Sequence, residues 1–362
     1  MRKLERFNRG MGIGGWLTNY KRFNVLPKER RMQITVGDME HFESYITEKD
    51  IQYIASLGMD HIRIGFDQIV LEKEPFVYRE EIFSILHNFA AWCKKYSLGI
   101  VFNLHKAIGN YCDALDEDGL MKHSALQERF IALWLKIEDE FADDSWIMFE
   151  LLNEVVNATA DEWNNLADRT VRALREKSPM RKIIVGCTEW NNPVGLEGLR
   201  VMDDENVIYT FHCYAPHEFT HQRGVLMPEQ LFYNREMPYP GDIGRYRDYW
   251  KTVYNNEGAY PNLEKMDITY LYEYLLPVKK WIETHPDKIL WCGEFGTIRH
   301  IKIEWRENWM RDMIKILKEL DIPYCVWNYL STPNDGNRFS LVDDDERKIL
   351  SSELRKIING EV

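Results

Sequence analysis

Two glutamates end short apolar runs, in positions where both could act on one substrate. Glu154 closes the run Phe149–Glu154, directly after Asn153. Glu294 closes a second run, which begins at Ile289. Such runs are typical of buried parallel strands, and the polar group that ends one lies at the strand's C-terminal end. Facing each other across a sugar, one carboxyl group could act as acid/base and the other as nucleophile, which is the chemistry of a retaining glycosidase.

Strand-like runs alternate with helix-patterned segments along the chain. The predicted strands are residues 11–15, 60–65, 99–104, 146–152, 182–187, 206–211, 288–293 and 323–328. The predicted helices are residues 48–57, 79–97, 124–141, 161–177, 192–200, 268–284, 304–320 and 345–358. This alternation predicts an α/β protein with the fold of a (β/α)8 barrel. We expect residues 1–362 to form a single catalytic domain. A doubly wound open sheet is the alternative, but the glycines of residues 10–15 lack the spacing of a phosphate-binding turn and no helix follows them.

One connection is far longer than the others. About fifty residues separate the sixth strand from the helix near Ile268, whereas a βα loop has about two to six. Aromatic residues are frequent in this segment, although they are rare in disordered linkers. We therefore predict that residues 217–267 form a small folded insertion on the catalytic face, after the sixth strand.

The predicted strand ends carry a narrow set of polar and aromatic side chains. In a barrel of this kind the reactive groups lie at the C-terminal ends of the strands. Those positions hold Arg63, His105, Asn153, Glu154, His212, Tyr214, Glu294 and Trp327. Three residues just past strand ends are candidate platforms for a sugar, namely Trp16, Trp190 and Tyr329. Phe219 and His221, at the start of the long connection, are further candidates for lining a sugar cleft.

The order of the strand-end residues resembles glycoside hydrolase family 5, the large cellulase family. That family carries Arg, His, Asn-Glu, His-x-Tyr, Glu and Trp on successive strands, and this chain meets the pattern without a departure. Residues 12–17 and 149–154 are also similar to those of single-domain clostridial endoglucanases. The resemblance implies a retaining endo-β-glucanase with no metal and no organic cofactor. It implies Glu154 as the acid/base and Glu294 as the nucleophile.

The chemistry of each side chain suggests its role in that reaction. Glu154 must carry a proton, so we expect a raised pKa, whereas Glu294 must be ionised. Arg63 and the hydroxyl of Tyr214 could hold Glu294 charged and aimed. Glu150, deeper in the barrel, is interpreted as structural and paired with a basic group.

The remaining residues of the set are suited to contacts with the sugar. Asn153 can donate to the 2-hydroxyl group in the transition state. His105 and His212 can form hydrogen bonds with substrate and carboxylates. Trp327 offers a flat apolar face for the pyranose ring at the cleavage site.

Two other functional classes deserve comparison. His217, Glu218 and His221 match the H-E-x-x-H signature of zinc proteases, which requires a helix that places the histidines one turn apart. Pro216 and Gly224 leave little room for such a helix, so this interpretation is disfavoured. A non-catalytic glycan-binding protein would be expected to have lost a carboxylate, and the chain retains both.

Composition and charge restrict the partners. The net charge of −12 argues against nucleic-acid binding, and no run of about 18 apolar residues could cross a membrane. Residues 1–6 lack the apolar core of a signal peptide, so we expect a cytoplasmic protein with reduced cysteines, unless a leader was removed. We also expect a monomer. The expected substrate is soluble β-1,4-glucan or mixed-linkage β-1,3-1,4-glucan, by resemblance. The alternatives are a β-mannanase or glucomannanase and an oligosaccharide-active β-glucanase.

Overall fold

Eight parallel strands close into a barrel in the computed structural model. The structure describes residues 4, 6–18, 26–112, 114–115, 119–256, 258, 260, 262–332 and 338–361. The barrel strands are β1 (Arg9–Leu17), β2 (His61–Asp67), β3 (Gly99–Lys106), β4 (Ile147–Glu150), β5 (Ile183–Val185), β6 (Val207–Cys213), β7 (Leu290–Phe295) and β8 (Tyr324–Val326). Each strand pairs with the next in the chain, and β8 pairs with β1. The predicted (β/α)8 barrel is confirmed.

Helices connect the strands and cover the outside of the barrel. The longer ones are Val36–Ser44, Glu48–Ser56, Glu80–Lys95, Ser124–Glu140, Ala160–Lys177, Ile243–Tyr254, Leu276–Thr284 and Ile303–Glu319. The shorter ones are Lys28–Arg31, Gln68–Leu71, Gly119–Lys122, His217–Thr220, Pro228–Tyr233, Ile268–Tyr274 and Ser352–Ile358. Within the described part of the chain, no helix is long and apolar enough to span a membrane.

The helix Ala160–Lys177 shows how the local sequence determines an element. Thr159 and Glu162 form a reciprocal capping box that satisfies the first free N–H groups. Trp163 and Leu174 are among the apolar residues that the helix buries against the barrel. Basic residues occupy its last turn, where the helix dipole favours positive charge.

Three predicted helices differ from the structure for identifiable reasons. Residues 192–200 form only the 3-10 helix Pro193–Gly198. The predicted helix 268–284 is two helices, because Pro277 cannot donate a backbone hydrogen bond and a new helix begins around it. The predicted helix 345–358 begins only at Ser352, since the Asp343 side chain accepts from the N–H groups of residues 345, 346 and 348 and holds that segment in a turn.

The barrel interior is apolar at one end and polar at the other. Inward-facing side chains of six strands form an apolar cluster that fills the N-terminal end, Val101, Met148, Ile208 and Trp291 among them. Towards the C-terminal end the inward positions become charged, beginning with Arg63. The apolar plug and the surrounding helices therefore hold the polar layer in place.

The connection after β6 contains short helices and a two-stranded ribbon of Gly241–Asp242 and Lys265–Met266. Several of its aromatic rings are buried, Tyr239, Tyr246 and Tyr249 among them. Residues 257, 259 and 261 of this connection lie outside the described residues. That residues 217–267 form a separate insertion subdomain stays a prediction.

Candidate active site

The C-terminal ends of the strands surround a cavity of about 520 Å³. It brings together most of the residues that the sequence predicted for the site. Those that line it are His105, Asn153, Glu154, Trp190, Tyr214, His221, Glu294 and Trp327. Arg63 and His212 lie directly behind this lining, each about 1% exposed or less.

Two fixed donors hold Glu294. Arg63 Nη1 donates to its Oε1 at 2.5 Å, and the Tyr214 hydroxyl donates to its Oε2 at 2.8 Å. Burial alone would raise the pKa of Glu294, but the charges of His212 and Arg63 and the hydrogen bonds from Tyr214 and Arg63 lower it below its usual value. Glu294 is therefore held in the ionised form, as a nucleophile requires.

A buried ion pair aims the guanidinium of Arg63. Its Nε and Nη2 donate to the two carboxylate oxygens of Glu150, at 2.6 and 2.9 Å. Both side chains are fully buried, and this bidentate geometry fixes the plane of the guanidinium. Nη2 also donates to Asn153 Oδ1 at 2.6 Å, so the amide oxygen of Asn153 faces Arg63. The amide nitrogen of Asn153 then points away from Arg63 and can act as a donor. Glu150 is thus paired with a basic group, in line with its structural interpretation.

Glu154 lies close to Glu294 and is more accessible. His212 Nδ1 lies 3.0 Å from Glu154 Oε1 and 3.8 Å from Glu294 Oε2. An oxygen of each glutamate and a nitrogen of His212 all lie within 4.8 Å of one another. The side chain of Glu154 is 17% exposed, against 5% for Glu294. The two carboxyl groups therefore face the same small volume at the cavity floor.

Trp327 forms one wall of the cavity, stacked on His105. Their ring centroids are 5.6 Å apart with planes inclined by 14°. A Cβ atom at Gly12 or at Gly14 would come within 2.7 Å of the Trp327 ring. These two glycines of β1 leave the space beside the strand that the indole occupies. Sequence reasoning missed this role, although the glycine-rich run in β1 was the available signal.

Three predicted sugar contacts are wrong, because these side chains are buried in the protein and do not line the cavity. Trp16 is 1% exposed and its indole N–H donates to the Phe42 carbonyl oxygen at 2.8 Å. The Tyr329 hydroxyl donates to Asp50 Oδ1 at 3.0 Å in a buried site. Phe219 is fully buried against Tyr239.

The remaining candidate just past a strand end, Trp190, does face the cavity. It is 39% exposed, and its indole N–H donates to the Cys112 carbonyl oxygen at 3.3 Å. The sequence did not single out Lys106, which also lines the cavity and donates to Thr18 Oγ1 at 2.9 Å. Its position directly after His105 at the end of β3 was the signal for it.

The H-E-x-x-H segment does not have the geometry of a zinc protease. The helix that carries it, His217–Thr220, is a single turn. Glu218 does not line the cavity. Its carboxylate is buried and accepts hydrogen bonds from Trp250 Nε1 and, at 2.7 Å, from the Tyr260 hydroxyl. A base in that chemistry has to reach a metal-bound water, and a carboxylate held in this buried contact does not.

Known proteins with similar sequences include cellulases, as the residues of the site suggest. The model of the cellulase family, glycosyl hydrolase family 5, matches residues 25–332. The chain belongs to this family. Endoglucanase C of Acetivibrio thermocellus is 34% identical over 98% of both chains. Cellodextrinase A of Ruminococcus flavefaciens is 27% identical, over 88% of this chain and 84% of its own.

Solved structures of the family share the fold. A hyperthermophilic endo-β-1,4-glucanase in complex with substrate superimposes with a TM-score of 0.74 at 19% identity, covering 98% of this chain and 97% of its own. Thermotoga maritima Cel5A in complex with cellobiose gives 0.73 at 22% identity, covering 98% of both. The chain is accordingly a glycoside hydrolase of family 5 with the (β/α)8 fold.

Proposed function

We propose that this family 5 hydrolase is a retaining endo-β-glucanase that cleaves β-1,4 linkages in soluble β-1,4-glucan or mixed-linkage β-1,3-1,4-glucan. The observation that carries the mechanism is the approach of Glu154 and Glu294 oxygens to within 4.8 Å. Retaining glycosidases place the two carboxyl groups about 5–5.5 Å apart, whereas inverting enzymes need about 6.5–9.5 Å to admit a water. The spacing supports attack by a carboxylate.

In the first step a Glu294 oxygen attacks the anomeric carbon and the glycosidic bond breaks. Glu154 gives its proton to the departing oxygen, so the aglycone leaves as an alcohol. Arg63 and Tyr214 keep Glu294 ionised and aimed until the new bond forms. Asn153, whose amide oxygen faces Arg63, has its nitrogen available to donate to the sugar 2-hydroxyl group.

In the second step water hydrolyses the glycosyl-enzyme. Glu154, now a carboxylate, removes a proton from the water as it attacks the anomeric carbon, and Glu294 leaves as a carboxylate. The proton on Glu154 is thereby restored. His212, at 3.0 Å, can donate its Nδ1 hydrogen to Glu154 while that carboxylate is charged.

The choice of substrate is supported by the relatives and by the cavity walls. Endoglucanases and a cellodextrinase are among the similar proteins, and one related structure contains cellobiose. Trp327 and Trp190 present flat apolar faces suited to equatorially substituted pyranose rings. A Cel5A structure with mannotriose supports glucomannan or β-mannan as the second candidate.

Product analysis distinguishes these substrates. Carboxymethyl cellulose, barley mixed-linkage glucan, glucomannan and laminarin would be incubated with the enzyme and their products separated by chromatography. We expect a ladder of short oligosaccharides from the two glucans with β-1,4 linkages and no cleavage of laminarin. Faster cleavage of glucomannan than of either glucan would favour the second candidate.

A further inference from the structure

His221 lines the cavity beside the nucleophile without taking part in the two-carboxylate chemistry. Its ring packs edge-on against Tyr214, with centroids 5.2 Å apart, and against Phe339 at 5.0 Å. Tyr214 in turn donates to Glu294. The imidazole is therefore one side chain away from the nucleophile, and it forms part of the surface that a sugar meets.

The hydrogen bonds of Thr220 determine which nitrogen of His221 carries the proton. Thr220 Oγ1 lies 2.5 Å from the carbonyl oxygen of Tyr214 and 3.4 Å from that of Pro216. A carbonyl oxygen can only accept, so the single hydroxyl hydrogen is donated in that direction. The remaining contact of Thr220 Oγ1, 2.9 Å to Nδ1 of His221, must then be a bond in which the Nδ1–H group donates.

Nε2 of His221 is consequently the unprotonated nitrogen of a neutral imidazole. Burial, and then the neighbouring His217, lower the pKa of His221 well below its usual value. Burial also lowers the pKa of His217 to about 4, so that neighbour is neutral as well. Thr220 is the one hydrogen-bond partner of the His221 ring within the described parts of the chain, which leaves the Nε2 lone pair for a ligand in the cavity.

We propose that His221 is a specificity-determining residue whose Nε2 accepts a hydrogen bond from a free hydroxyl group of the bound glucan. The inference rests on the proposed glucanase function and adds the direction of this contact. Arg63 and Tyr214 direct their donors at Glu294, whereas a sugar hydroxyl that leaves water for the cavity also needs an acceptor for its own hydrogen. A glucan that carries a branch, ether or ester at this hydroxyl would be disfavoured.

Nitrogen-15 NMR tests the assignment directly. The full chain would carry labelled histidine and Glu294→Gln to stop turnover, and loss of signals in His221→Phe or His221→Gln identifies the His221 resonances. In the free protein, we expect the couplings between the ring nitrogens and the ring hydrogens of His221 to show the Nδ1–H tautomer. On saturation with cellotetraose the Nε2 resonance should shift upfield, because it then accepts a hydrogen bond. An Nε2–H tautomer, or an Nε2 resonance that does not move while cellotetraose is bound, overturns the proposal.

Kinetics on cellotetraose provide the second arm. His221→Phe keeps the ring but removes the acceptor, so kcat/KM should fall by about threefold to tenfold. His221→Gln places an amide oxygen near the position of Nε2 and should recover most of that loss. Thermal unfolding checks that both variants fold. A His221→Phe enzyme as active as wild type, or a His221→Gln enzyme no better than His221→Phe, contradicts the proposal.

The two hypotheses fail in different ways. A wild-type enzyme that neither binds nor cleaves cellotetraose would overturn the proposed function and this inference with it. Normal cleavage of cellotetraose with an unmoved Nε2 resonance would overturn the inference alone.

Discussion

The two glutamates at the mouth of the barrel are held in different ways. Glu294 is almost fully buried and accepts from Arg63 and Tyr214, while Glu154 is more exposed and lies beside His212. A nucleophile keeps one protonation state, so fixed donors serve it well. An acid/base has to give up a proton and regain it, and partial exposure allows that exchange. The environment of each carboxyl group therefore matches its proposed role.

Replacing Glu294 should have the largest effect. Glu294→Ala removes the proposed nucleophile, so we expect kcat to fall by several orders of magnitude on both barley glucan and dinitrophenyl β-cellobioside. Each tenfold fall corresponds to about 1.4 kcal/mol. Steady-state rates on the two substrates measure this. Ordinary activity of the variant on polymer would place the site elsewhere.

Replacing Glu154 should separate the two substrates. A dinitrophenolate leaves without acid assistance, so Glu154→Ala should still form the glycosyl-enzyme from dinitrophenyl β-cellobioside and then stall for lack of a base. We expect a burst of dinitrophenolate, poor activity on polymer, and rescue by azide with a β-glycosyl azide as product. If Glu294→Ala shows this behaviour and Glu154→Ala does not, the assigned roles are reversed.

Replacing Glu150, the buried partner of Arg63, tests whether catalysis depends on the orientation of the guanidinium as well as on its charge. Glu150→Gln breaks a buried pair and should destabilise the fold by about 3 kcal/mol. It should also reduce kcat, because Arg63 is no longer fixed on Glu294. Glu138→Gln is the matched control, since the Arg181–Glu138 pair is equally buried but lies away from the cavity. Urea unfolding and kcat, measured for both variants, should show similar destabilisation and a kcat loss for Glu150→Gln alone.

The Tyr214 hydroxyl should produce the smallest change, seen in the pH profile. Its hydrogen bond helps to lower the pKa of Glu294, and the proposed mechanism needs Glu294 ionised. Tyr214→Phe should therefore raise that pKa, and the acidic limb of kcat/KM should move up by about half to one pH unit. Activity is then lost at a higher pH than in the wild type. An acidic limb that stays in place would show that Arg63 and His212 suffice.

The sequence predicted the site better than its surroundings, for a physical reason. A buried strand must be apolar until it reaches the mouth, so the residue that ends the run, such as Glu154, marks the active face. Past the strand end the chain turns, and position alone does not show which way a side chain points. Trp16 and Tyr329 were assigned to the cavity on that basis, and both are buried among the helices.

Two features of the site depend on side-chain geometry that only the folded chain defines. Thr220 fixes the tautomer of His221 through a bond to the Tyr214 carbonyl oxygen, which is visible only in the folded structure. The guanidinium of Arg63, on β2, reaches Glu150 and Asn153 at the end of β4 and Glu294 on β7. A single sequence could suggest such partners but not their geometry.

The stereochemistry of the first-formed product tests the central claim most directly. Proton NMR would follow the anomeric signals during the first minutes of cellotetraose hydrolysis, before mutarotation mixes them. With Glu294 as nucleophile and Glu154 as acid/base, we expect the β-anomer to accumulate first and the α-anomer to appear only as mutarotation proceeds. Initial release of the α-anomer would mean inversion by a water molecule and would contradict the assignment of Glu294 as nucleophile.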